Sequence, residues 1–135
     1  MTQKTQKTQK KNKKYPVLVT YGPYGKDIPY SSFHPKSFAE IKEVNPQQAS
    51  EYSAWETPDP VYWCSQAGYA VVRADERGAG QSPGLLDTMS RGTSEAFCEV
   101  IEWCAEQEWS SGKVGLLGVS YYAGECLVPP TMVRW

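Results

Sequence analysis

Lys113-Val-Gly-Leu-Leu-Gly-Val-Ser-Tyr-Tyr-Ala123 runs a short apolar segment into Gly118-Val-Ser120 and straight on into helix-compatible residues. This is the layout of a strand–turn–helix in which a serine sits on the sharp turn, its hydroxyl lifted clear of a sheet. The backbone N–H after such a serine faces the charge that builds up on an acyl oxygen under attack. Ser120 is therefore the candidate nucleophile and Tyr121 the candidate N–H donor. Gly118 stands where a Cβ would meet the departing helix, and the second glycine usual in such turns is replaced by Tyr122. Gly-x-Ser alone is a weak signal, since a serine in an ordinary strand-to-helix turn satisfies it too. The surrounding sequence has to decide.

Upstream, Tyr15-Pro-Val-Leu-Val-Thr-Tyr21 is β-branched and aromatic and stops at Gly22-Pro23, which predicts a strand. Residues 29–57 mix Pro, Ser, Asn and aromatics as a long excursion, with a short helix over 37–44. Thr57 and Pro58 supply an N-cap and first-turn proline for a helix through Val61, Tyr62, Trp63 and Ala67, ending at Gly68. Tyr69-Ala-Val-Val-Arg-Ala-Asp75 is a nearly continuous apolar run of the kind buried in a parallel sheet. Phe97, Val100, Ile101 and Cys104 recur at helical spacing from Thr93 or Ser94 to about Trp109, with Glu95, Glu99, Glu102 and Glu106 on the solvated side. Ser110-Ser-Gly112 closes that helix, and 113–117 is the third strand. Strand, helix, strand, helix, strand, turn is the order of a doubly wound α/β sheet, parallel with right-handed crossovers. Chemistry in such sheets gathers at the carboxyl ends of strands, here Gly22 to Tyr24, Asp75 and Ser120.

The chain has 135 residues, enough for one domain with a core, and a net charge of −1. Six of its 14 Lys+Arg lie in residues 1–14 with no acid among them, so the remainder holds 8 basic against 15 acidic residues. A body this acidic argues against nucleic acid as a partner. Residues 1–14 repeat Thr-Gln-Lys and read as a disordered basic tail, neither a secretory signal nor a transit peptide. No stretch is long and apolar enough to span a bilayer. Cys64, Cys98, Cys104 and Cys126 form no C-x-x-C and the lone His34 has no neighbouring thiol, so no metal site is expected; buried reduced thiols of a cytoplasmic protein fit better. Gly78-Ala-Gly80 lacks the third glycine and helix of a dinucleotide loop, and Gly25-Lys26 lacks the spacing of a phosphate loop. No cofactor is implied.

Three segments together resemble the X-prolyl dipeptidyl-peptidase and cocaine-esterase-like serine hydrolases of the α/β-hydrolase fold. They are Pro16-Val-Leu-Val-Thr-Tyr-Gly-Pro-Tyr-Gly-Lys26, Ala74-Asp-Glu-Arg-Gly-Ala-Gly-Gln-Ser-Pro-Gly84, and the stretch from Ile101-Glu-Trp103 through Gln107-Glu-Trp109 and Gly112-Lys-Val-Gly115 to Gly118-Val-Ser-Tyr-Tyr-Ala123. The likeness covers about residues 15–124. It implies an N-terminal, incomplete part of that fold, with Ser120 as the acylated nucleophile, the Tyr121 N–H as one oxyanion donor and the Tyr24 phenol as the other. It also implies a small acyl ester or peptide as substrate, and it accepts a bulky residue at Tyr122 with a small one at Ala123. Asp75 and Arg77 are expected to brace their turn as a buried hydrogen-bonded pair, with Ser82 another turn residue.

A serine needs a base to take its proton, and in this fold the acid and the histidine follow it in the chain. The 15 residues after Ser120 contain neither Asp nor His. Glu125 is too close in sequence to orient a base, and His34, between Phe33 and Pro35, reads as a loop residue. Residues 125–135 depart from the family, with Pro129-Pro130 stopping any helix, as in a truncated or misjoined product. Three readings therefore stay open: a serine hydrolase portion with impaired catalysis, a non-catalytic interaction module pairing through exposed sheet edges, or an unfolded product without function.

Overall fold

The β-branched and aromatic run Tyr15–Gly22 forms β1, the middle strand of the computed structural model, which describes residues 13–125. β2 (Ala70–Asp75) and β3 (Ser110–Leu116) flank it, both parallel to it, in the order β2-β1-β3. Val17 lies opposite both Ala70 and Val114, and Gly22 opposite Asp75. Parallel pairing brings the carboxyl ends of all three strands to one end of the sheet. β1 is buried on both faces, from Val17 through Gly22, as the central strand of a parallel sheet should be.

α3 (Arg91–Glu106) covers one face. Its stripe of Phe97, Ile101 and Cys104 packs on Val17, Val19 and Tyr21, and the Phe97 ring stacks on Tyr21 with centroids 5.1 Å apart and planes 11° from parallel. The four glutamates of the opposite face are exposed, as expected. α3 begins earlier than the apolar stripe indicates because Ser90 caps it, its hydroxyl accepting the Thr93 N–H. It also ends three residues early. Ser110–Gly112, expected to close the helix, already belong to β3: Ser110 pairs with Tyr15, and a register irregularity before Val17 absorbs the extra residues.

Between β1 and β2 lie α1 (Tyr30–Phe33), α2 (Pro35–Val44), a 3₁₀ turn (Pro46–Gln48) and a π-wound turn (Val61–Gln66). The last was expected to start at Thr57-Pro58. Its flanking residue is instead Pro60, and Asp59 just before it serves the first turn, Oδ1 accepting the Tyr62 N–H while Oδ2 accepts the Ser50 N–H and the Ser53 hydroxyl. Burial raises the pKa of Asp59, but these bonds outweigh it and hold the carboxyl below its ordinary value. α4 (Tyr121–Glu125) leaves the sheet after β3 and lies against β1. Of the tails expected over 1–14 and 125–135, residues 1–12 and 126–135, with Cys126, lie outside the described residues.

Cys64, Cys98 and Cys104 are free thiols; Cys98 and Cys104 are buried as expected, whereas Cys64 is exposed on the π-wound turn. Burial pushes the Cys104 thiol up to about 11, and burial with the neighbouring Glu102 and Glu95 raises Cys98. Alkylation requires the thiolate. Iodoacetamide at pH 8 is therefore expected to modify Cys64 and spare Cys98 and Cys104 until urea is added. Peptide mass mapping checks this, and rapid modification of Cys104 in buffer would contradict the packing of α3.

Candidate active site

β3 ends at Leu116, the Leu117 N–H still reaches the Val19 carbonyl, and the chain turns at Gly118-Val-Ser120 into α4. Ser120 is exposed and sits at φ +56°, a left-handed conformation unusual for a residue with a Cβ. Its carbonyl opens α4 by accepting the N–H groups of Ala123 and Gly124. A Cβ on Gly118 would lie 2.4 Å from the Tyr122 carbonyl carbon, so only glycine lets strand and helix approach this closely. Tyr122 is buried, and its ring fills the space over Gly22, where a Cβ would fall 2.5 Å from Cε1. That complementarity explains how the turn accepts a tyrosine where a second glycine is usual. Burial, then the nearby Asp75, Tyr24 and Glu56, push the Tyr122 phenol up to about 12 against the opposing charge of Arg73.

Tyr24, in the loop after β1, is brought to the same place. Its ring lies 6.1 Å from that of Tyr121, edge-on, and 5.7 Å from that of Tyr122, with Phe33 on a further side at 6.1 Å. Asp75, at the end of β2, is buried, but it does not pair with Arg77. Oδ1 accepts the Lys26 N–H at 2.6 Å and Oδ2 the Gln81 N–H at 3.1 Å, while the exposed Arg77 lays its side chain along Gly84 and Gly92. The bracing expected of Asp75 thus acts on two backbones, one of them the loop that holds Tyr24. Ser82 is a turn residue, its hydroxyl donating to the Asp75 carbonyl.

His34 is exposed and stacks on Trp55 at 5.0 Å, its carbonyl accepting the Phe38 N–H at the start of α2. No hydrogen bond joins it to Ser120 among the described residues. A cleft of about 420 Å³ runs from Tyr30 past Trp55, Glu56 and Trp63 to Leu117 and Val119, the residue before Ser120. Glu56 stands at φ +55°, with Oε2 buried and without a hydrogen-bond partner, and burial raises its pKa. Among the described residues no three His, Cys, Asp or Glu side chains are grouped to hold a metal ion, and no helix is long and apolar enough to cross a membrane.

With this turn in place, the sequence matches the X-Pro dipeptidyl-peptidase (S15 family) over residues 8–131. The chain belongs to that family. It is similar to cocaine esterase of Rhodococcus sp. (strain MB1 Bresler), 38% identical over 80 residues, which are 57% of this chain and 13% of the esterase. Two crystal structures of a CocE/NonD family hydrolase from Staphylococcus aureus superpose with TM-scores of 0.68 and 0.67 at 33% identity, covering 87% of this chain and 20% of theirs. The chain thus spans a fifth or less of the length of these relatives, and its three parallel strands with their helices are an incomplete part of the α/β-hydrolase fold.

Two residues at the site escape sequence reasoning. Glu76 is fully buried at the end of β2, accepting hydrogen bonds from Thr93 and from the Tyr121 phenol. Its only signal in the sequence is a second acid beside Asp75 at a strand end. Glu56 carries no signal at all, since a positive φ at a glutamate has no compositional mark.

Proposed function

We propose that this chain is the nucleophile-bearing portion of a serine hydrolase acting on acyl esters or X-Pro peptides through an acyl-enzyme. Ser120 Oγ attacks the acyl carbon, and the Tyr121 N–H and the Tyr24 phenol stabilise the oxyanion. The observation that carries this reading is Ser120 at φ +56° between a strand and a helix, with the Tyr24 and Tyr121 rings in edge contact beside it. Membership of the S15 family supports it, as does an aromatic-walled cleft reaching Val119 that can receive an apolar acyl or prolyl group. Among the described residues no hydrogen bond joins the lone His34 to Ser120, so turnover by this chain alone is expected to be slow. The buried free thiols of Cys98 and Cys104 support a reducing, cytoplasmic setting.

Incubation with a fluorophosphonate followed by peptide mass spectrometry tests the nucleophile. An adduct on Ser120 that disappears in Ser120→Ala is the expected result; equal labelling of both proteins overturns the assignment. Fast turnover of a p-nitrophenyl ester would overturn the impairment. Ser120→Gly is expected to abolish the adduct yet stabilise the fold by about 1 kcal/mol, because a left-handed residue with a Cβ costs about that much. Urea denaturation reads the gain.

A second reading, an interaction module, is favoured by β2 and β3 both being edge strands, with Leu116 and Val119 exposed beside one of them. Defined oligomers in analytical ultracentrifugation, with no Ser120 adduct, would establish it over the first.

A further inference from the structure

Glu76 follows the last residue of β2 and is 0% exposed. A carboxyl group removed from water needs hydrogen bonds in place of its hydration, and both oxygens here have a partner. The Tyr121 phenol donates to Oε2 at 2.9 Å, and the single proton of the Thr93 hydroxyl is shared between Oε1 and the Asp87 carbonyl, each 2.8 Å away. The same phenol oxygen accepts the N–H of Met89 at 3.2 Å, and the Glu76 N–H donates to the Gly22 carbonyl at 2.8 Å. One residue is therefore bonded to the first turn of α3, to the end of β1 where the Tyr24 loop begins, and to the residue after Ser120.

Two of the residues this network touches or adjoins, Met89 at φ +55° and Ser120 at φ +56°, hold left-handed conformations. Such conformations last only where the surroundings over-determine them. The bond from the Tyr121 phenol to Glu76 Oε2 pins the far end of the side chain whose own peptide N–H follows the turn. We infer that Glu76 is a positioning residue: acting through the Tyr121 phenol, it fixes the Tyr121 peptide and hence the N–H that faces the oxyanion. This rests on the reading of Ser120 as the nucleophile. A bond to Thr93 alone would reach only the helix start; the second bond, to Tyr121, ties the end of β2 to the turn itself.

The test uses the whole chain labelled with ¹⁵N-tyrosine. The Tyr121 N–H resonance is assigned by its loss in Tyr121→Phe, and the rate of Ser120 capture by a fluorophosphonate is followed in parallel, with circular dichroism to score folding. Glu76→Gln is expected to shift the Tyr121 resonance and slow capture by about tenfold, as small misplacements at a reacting centre do. Tyr121→Phe should slow it at least as much, and Glu76→Gln combined with Tyr121→Phe no further. A folded Glu76→Gln with unchanged resonance and capture overturns the inference, as do effects that add in full in the double variant. Should Glu76→Gln not fold, Tyr121→Phe, which removes one oxygen from a partly exposed side chain, decides: slowed capture in a folded protein supports the inference and wild-type capture overturns it. Should the wild type not be captured at all, the Ser120 reading fails, while the shift of the Tyr121 resonance in Glu76→Gln still decides whether Glu76 sets that peptide.

Discussion

Gly118→Ala is expected to destabilise the chain by about 3 kcal/mol and to reduce Ser120 capture by a fluorophosphonate at least about a hundredfold. The added methyl would lie 2.4 and 2.5 Å from the carbonyl carbon and oxygen of Tyr122 and 2.7 Å from the Ala123 nitrogen. All three are backbone atoms of α4, so no side-chain rotation relieves the contact. The strand exit and the helix must move apart, and Ser120, between them, must move with one or the other. Urea denaturation and the capture rate measure the two effects independently. A variant as stable and as reactive as the wild type would show that β3 and α4 do not meet as described.

Phe97→Ala is expected to have the larger effect on stability, about 3–5 kcal/mol. Phe97 is wholly buried, stacks on Tyr21 and anchors the only long helix among the described residues to the central strand. Tyr21 in turn accepts the Arg77 N–H through its hydroxyl at 3.0 Å, so loosening the stack also loosens the turn after β2. Small domains hold about 5–15 kcal/mol in total, so this one truncation should remove a large share of it. Phe33→Ala, at a side chain 40% exposed on α1, is the contrast and should cost under about 1 kcal/mol. Equal urea midpoints for the two variants would mean that α3 does not hold the sheet.

Hydrophobic patterning made the three strands, α3 and the serine turn legible, because each is marked by a period or a glycine whose cause is local. β1 and β2 read as apolar runs, and the stripe through Phe97, Ile101 and Cys104 marks the core face of α3. What did not read was set by partners distant in the chain. The π-wound turn starts after Pro60 rather than at Thr57, with Asp59 held against its first turn by Ser50, Ser53 and the Tyr62 N–H. β3 starts at Ser110 because Tyr15 pairs there, not because of anything in Ser110-Ser-Gly112 itself. Asp75 finds its acceptor role on the Lys26 backbone, 49 residues away, instead of on the neighbouring Arg77. Glu76 is buried by groups 17 and 45 residues downstream, which no local pattern announces.

Of the three described strands, the one made first lies in the middle. Val17 finds its partners at Ala70 and then at Val114, so its second edge stays bare until Val114 has been made, 97 residues later. At elongation rates of about 5–20 residues per second that interval is roughly 5–20 s on the ribosome. Throughout it, Val17-Leu-Val-Thr-Tyr21 is a β-prone segment without charge or proline, open to pairing with its counterpart on a neighbouring nascent chain. Yield of soluble protein should therefore depend on translation speed and on holdase chaperones as much as on the finished structure.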